Sequence, residues 1–143
     1  MTNTGYSATP LARKLGIKEG FKIRLVNQPQ YYFQLFDDFP ENVSIKTDKK
    51  SKKNLIHYFT KEASELIENI NLLKNEIELN GMIWISWPKK ASKITTDITE
   101  DTVRNLAVKN GLVDIKVCAV DEVWSGLKLV IPVKDRIASR KQE

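Results

Sequence analysis

The most constraining feature of the chain is a short apolar run, Met82, Ile83, Trp84, Ile85, Ser86 and Trp87, bounded by Gly81 and Pro88 and flanked on both sides by helical patterns. A strand with one wet face alternates apolar and polar residues; a near-continuous run is what a strand covered on both faces of a parallel sheet requires. Before it, Ala63, Leu66, Ile67, Ile70, Leu73 and Ile77 recur at helical spacing. They predict an amphipathic helix from Lys61 to Leu79, with Thr60 as N-cap and Asn80 and Gly81 as the stop. After the run, Thr99 caps a helix over Glu100–Lys109, with Glu100 and Asp101 at its positive end and Gly111 beyond its last turn. Val113, Ile115, Val117 and Ala119 then alternate as a strand, and Leu127, Leu129 and Ile131 alternate back. A join as short as Asp121–Gly126 makes those two strands antiparallel. Helix, buried strand, helix and strand in succession specify an α/β chain.

The front half supplies the rest of the sheet. Thr9 and Pro10 open a short helix over Leu11–Leu15 that Gly16 ends, and Phe21–Val26 alternates as a first strand. The aromatic cluster Tyr31, Tyr32, Phe33, Phe36 and Phe39 predicts a short helix covering the sheet. Val43–Thr47 and Asn54–Phe59 read as a second and a third strand, with only Asp48–Lys53 between them, too short for a crossover helix. The expected architecture is a Rossmann-like three-layer sandwich: a mostly parallel sheet of about six strands with an antiparallel C-terminal strand. One helix and one edge strand of the usual layout are absent. His57, the only histidine, is read as a packed strand residue, since no second His or Cys nearby suggests a metal.

At 143 residues the chain makes one domain, 1–133, with a polar tail, 134–143, expected to fray. The lone Cys118 lies in an apolar run, which excludes an internal disulfide or a cysteine zinc cage. The start of the chain carries no signal-peptide pattern and the apolar runs are strand-length, so a cytoplasmic protein without a membrane span is expected. The net charge of +5 comes mainly from Lys46–Lys53 and from Lys89, Lys90 and Lys93, read as solvated faces. Nucleic acid is not an expected partner, because that binding takes a continuous basic stripe with exposed aromatics or Arg, and arginines are few.

The order of elements from the long helix through Asn110, Gly111 and Leu112 to the final antiparallel strand is similar to the C-terminal half of class I, S-adenosylmethionine-dependent methyltransferases. Leu15–Ile23 also resembles the lead-in to their first strand. In that superfamily a Gly-rich loop after the first strand lets the backbone approach the cofactor; here the turn is Asn27, Gln28, Pro29 and Gln30. Asp48 falls where the family's ribose-binding acid sits. The resemblance therefore implies the fold without a working cofactor loop, and no cofactor is expected. A nearer likeness is to a family of small bacterial domains of unknown function. It is carried by Gly5–Ala12 with Leu15–Ile17, by Trp84–Lys89, by Thr96–Glu100 and by Val117–Glu122 followed by Trp124–Leu127. That likeness implies a domain and not a reaction.

In open α/β sheets ligands sit at the carboxyl ends of the strands, where strand order reverses. That edge would gather Asn27 and Gln28, then Phe59 and Thr60, then Trp87, Lys89 and Lys90, and Asp97 from the next loop. Lysines beside a helix N-terminus suit a small anion. Asp121, Glu122 and Trp124 follow the fifth strand and could join the same edge as an acid pair. No nucleophile elbow, phosphate loop or metal-ligand spacing is present. The leading expectation is a non-catalytic ligand- or partner-binding module that has lost the cofactor loop. The alternative is a small transferase or hydrolase acting on an anionic substrate.

Overall fold

The computed structural model describes residues 9–136, so Gly5–Ala8 of the likeness above and residues 137–143 of the tail lie outside the described residues. The elements run α1 (Leu11–Leu15), β1 (Lys22–Val26), a 3₁₀ turn (Tyr32–Leu35), β2 (Ser44–Ile45), β3 (Lys53–Phe59), α2 (Ala63–Glu76), β4 (Ile77–Pro88), a second 3₁₀ turn (Lys90–Ser92), α3 (Glu100–Lys109), β5 (Val113–Ala119) and β6 (Trp124–Val130). They build one six-stranded sheet in the order β2-β1-β3-β4-β6-β5. The first four strands of that order pair in parallel, and β6 is antiparallel to both β4 and β5.

The sheet is the middle of three layers. Leu66, Ile70 and Leu73 of α2 and Val103 and Ala107 of α3 pack on Ile56, Ile83, Ile85 and Leu127 on one face. On the other, Ala12 and Leu15 of α1 pack on Ile23, Leu55 and Trp84, and Tyr32 packs beside them with Phe59, Val120 and Trp124. Trp84 is fully buried, as the apolar run requires of the central strand. Thr99 caps α3 through a reciprocal bond with Thr102, as its position predicts.

Several boundaries differ from the expectation. Helix α2 ends at Glu76, and Ile77, which fits the helical spacing, is instead the first residue of β4. A buried isoleucine serves the core from either conformation, so periodicity could not locate the change. Gly81 is then no helix stop. Residues 78–81 form an irregularity between the Lys53–Ile77 and Leu55–Met82 pairs, and a Cβ on Gly81 would lie 3.0 Å from the Lys53 carbonyl oxygen. The second strand shrinks to Ser44–Ile45, the aromatic segment forms a 3₁₀ turn rather than an α-helix, and residues 133–136 are helical.

The largest correction concerns the Lys46–Lys53 segment. Lys53 is 0% exposed, its ammonium bonded to Glu76 Oε1 at 2.9 Å and to the carbonyl of Asp48. The other oxygen of Glu76 holds Arg24 at 2.6 Å. A buried charge must be paired, and this cluster fastens β1, β3 and the end of α2 together. With no helix between β2 and β3, a groove of about 400 Å³ remains along β1 beside α2, lined by Arg24, Val26, Tyr58, Leu72 and Glu76 among others.

Candidate functional site

Strand order reverses at β1: the chain goes out to β2 and returns on the other side as β3. The carboxyl ends of β1 and β3 therefore form the crevice where this architecture holds its ligands. Asn27 leaves β1 with φ +58°, the left-handed conformation that glycine adopts freely and asparagine tolerates best among other residues. The turn thus keeps a backbone shape suited to glycine but carries a side chain. That side chain bridges the crevice, its Nδ2 donating to the Phe59 carbonyl at 3.1 Å and to Glu65 Oε2 at 3.2 Å. Thr60 Oγ1 donates to the other Glu65 oxygen at 2.6 Å.

Below the bridge the crevice is filled. Tyr32, Phe59, Val120 and Trp124 form one buried cluster, with Trp124 edge-on to Phe59. Tyr32 Oη bonds His57 Nδ1 at 2.9 Å, and His57 Nε2 bonds Ser86 Oγ at 2.8 Å, all three residues buried. Burial pushes the His57 imidazole down to about 3 and the Tyr32 phenol well above its ordinary value. A hydroxyl, an imidazole and a phenol in line have the connectivity of a relay, but with no solvent access the chain of bonds serves to seat Tyr32. What remains open is a cleft of about 530 Å³ lined by Asn27, Phe59, Thr60, Lys61, Glu62, Glu65 and Trp124.

The residues expected at this edge divide into three groups. Asn27 and Trp124 line the cleft, and Gln28 is exposed on the turn beside it. Asp97 comes close but is occupied: its Oδ1 accepts the Ala63 N–H at 2.8 Å, while Thr96 Oγ1 donates to the Lys61 carbonyl at 2.6 Å. Helix α2 is therefore capped by a carboxylate from another loop, and Thr60, the expected cap, is turned to Glu65. Asp121 is also occupied, accepting the N–H groups of Val123 and Trp124 at 2.8 and 2.7 Å and the Tyr31 hydroxyl at 2.8 Å. Burial, then Asp121, raises the Tyr31 phenol. Glu122 is exposed.

The third group lies elsewhere. Trp87 is a core residue against α2 and α3. Lys89 is fixed by its N–H to the Val123 carbonyl at 2.7 Å, near Cys118, and Lys90 is exposed on the second 3₁₀ turn. Asp48, at the ribose-acid position of the resemblance, spends its carboxylate on the Ser51 N–H and hydroxyl, which hold it down to about 2. Sequence reading missed Glu65 and the Tyr32–His57–Ser86 chain. A signal existed: His57 and Ser86 are the polar interruptions in two buried strands, and such groups need partners.

Removing the Asp97 carboxylate should uncap α2. Asp97→Ala is expected to cost about 1 kcal/mol, lowering the melting temperature by about 2–4 °C for a domain of this size. A residue serving only a ligand would leave thermal unfolding, followed by circular dichroism, unchanged.

No protein-family profile matches the chain, and no curated protein does. Solved structures do. A SAM-dependent methyltransferase from Aquifex aeolicus superposes with a TM-score of 0.63 at 15% identity, covering 85% of this chain and 88% of that one. Magnesium protoporphyrin IX methyltransferase from Synechocystis PCC 6803, with bound SAH, gives 0.60 at 11% identity over 85% and 80%. The ribosomal protein L11 methylase from Lactobacillus delbrueckii subsp. bulgaricus gives 0.55 at 10% identity over 85% and 74%. The fold is therefore the Rossmann-like fold of the class I methyltransferases. Among the described residues no helix is long and apolar enough to cross a membrane, and no group of three or more His, Cys, Asp or Glu is placed to hold a metal.

Proposed function

We propose that the chain is a non-catalytic binding module, a methyltransferase-type fold whose cofactor crevice is partly filled by its own side chains. The observation that carries this reading is the filling of the carboxyl edge by Asn27, Tyr32, Phe59 and Trp124, together with the turn that has side chains in place of a glycine-rich loop. Asp48 is engaged by Ser51 through both carboxylate oxygens. Glu62 and Glu65 on the wall of the remaining cleft favour a neutral or cationic group over the anion that Lys89 and Lys90 suggested. The one hydroxyl–carboxylate pair on that cleft is Thr60 with Glu65; Thr60 is buried and Glu65 is also held by Asn27, which weighs against the hydrolase or transferase alternative.

The deciding experiment is isothermal titration of the full chain with S-adenosylmethionine. No saturable heat is expected up to millimolar ligand. Micromolar binding accompanied by methyl transfer to any acceptor would refute the reading.

A further inference from the structure

Three lysines, Lys14, Lys116 and Lys128, meet on the sheet face that α1 covers only in part, with Lys18 and Lys89 within electrostatic reach of them. Trp84, Lys128 and Lys116 are cross-strand neighbours on β4, β6 and β5, so their side chains share one face. Trp84 packs beneath α1 and donates its indole N–H to the Leu15 carbonyl at 2.8 Å, which identifies that face as the α1 side. Lys14 reaches across from α1, its ammonium donating to the Ala119 carbonyl at 3.2 Å. Lys14, Lys116 and Lys89 all lie near enough to the half-buried Cys118 thiol to draw its pKa down against the larger upward effect of burial. Burial first, then Lys116 and Lys18, lower the pKa of Lys128. The ion pairs among the described residues use Arg24, Lys53 and Arg104, and none uses these five lysines.

Like charges directly opposite on a sheet destabilise it, and a partly buried pair is screened by salt less than an exposed one. The fold gains nothing from Lys116 facing Lys128; a bound anion would turn that repulsion into affinity. We propose that the lysine-lined face of β5 and β6 is a binding site for a compact polyanion bearing two or more phosphate groups.

Its extent follows from what borders it. At the hairpin end, Asp121 and Glu122 share a cavity of about 240 Å³ with Lys14, and their carboxylates stop the basic surface there. A nucleic-acid strand needs a continuous basic track and aromatic faces for stacking. Trp84 and Trp124 are both buried, so neither offers a face for stacking beside these lysines. The site lies on the opposite face of the sheet from α2.

The test titrates the full chain with inorganic tripolyphosphate at low salt. Saturable one-to-one binding is expected, weakening steeply as salt rises because the contacts are ionic. The double variant Lys116→Ala/Lys128→Ala should weaken it at least about tenfold, the loss of two charge-assisted contacts, while the unliganded melting temperature stays level or rises. The control Lys49→Ala/Lys50→Ala, in the turn between β2 and β3, should change affinity less than about twofold, since these charges lie off the proposed face. Absence of saturable binding overturns the proposal, as does an equal loss in the control, which would mean general attraction to a basic protein. Tighter binding of a single-stranded oligonucleotide of matched charge, lost in the same double variant, would overturn the compact ligand in favour of nucleic acid.

Discussion

Replacing Glu76 by Ala is expected to destabilise the protein by about 3–5 kcal/mol, because it leaves a buried cation without its bonded carboxylate. Glu76 is the hub of the ionic cluster, with one carboxylate oxygen 2.9 Å from Lys53 and the other 2.6 Å from Arg24. Lys53 has no exposed surface and cannot turn to water when its partner is lost. Its remaining bond is to the Asp48 carbonyl, and the solvent-exposed Asp48 carboxylate nearby offsets its charge only weakly. A loss of this size is a large fraction of the roughly 5–15 kcal/mol that holds a domain together. Urea denaturation should show it as a midpoint lower by about 2 M at ordinary slopes. The pair is not expected to be a net asset over hydrophobic packing. Removing both charges in Lys53→Met/Glu76→Leu should therefore restore most of the stability. A loss below about 1 kcal/mol in Glu76→Ala would mean the cluster is solvated as surface ion pairs are.

This cluster also shows where sequence reading stopped. The sheet was legible because its local patterns depend on near neighbours in sequence: the Met82–Trp87 run of a strand covered on both faces, the alternation in β6 and the spacing in α2; in β5 the alternating Val113, Ile115 and Val117 mark a strand although they are exposed. Lys53 reads like its neighbours Lys50 and Lys52, yet it is buried, because the carboxylate that neutralises it lies on another element. The candidate site fails in the same way. Asp97 and Asp121 are acids in loops, which sequence can flag, but their partners, the Ala63 N–H and the Tyr31 hydroxyl, are set by how loops cross in space. The absence of glycine from the Asn27–Gln30 turn could be read directly. The positive φ of Asn27 and its reach across the crevice could not.

Acidification should strike the same crevice through His57. The unfolded chain takes up the imidazole proton near 6.5, whereas burial in the native state delays it to about 3. Between those values the unfolded form binds more protons, so stability falls as pH falls, by about 1.4 kcal/mol per pH unit. The loss should reach about 2 kcal/mol at pH 5 and approach about 5 kcal/mol near pH 3. His57 is the only histidine, so between pH 6.5 and 5 it accounts for the slope before carboxylates begin to titrate. Urea denaturation at pH 7, 6 and 5 measures it, and His57→Gln, itself less stable, should lose that slope. The consequence is local as well as global. A neutral imidazole uses one nitrogen to donate and the other to accept between Tyr32 and Ser86, whereas an imidazolium must donate at both and carries a charge among Phe59, Tyr32 and Trp84. The Tyr32 and Ser86 hydroxyls can each turn to accept, so what protonation costs is the buried charge and not the bond that seats the phenol. A flat stability profile from pH 6.5 to 5 would show that solvent reaches the imidazole.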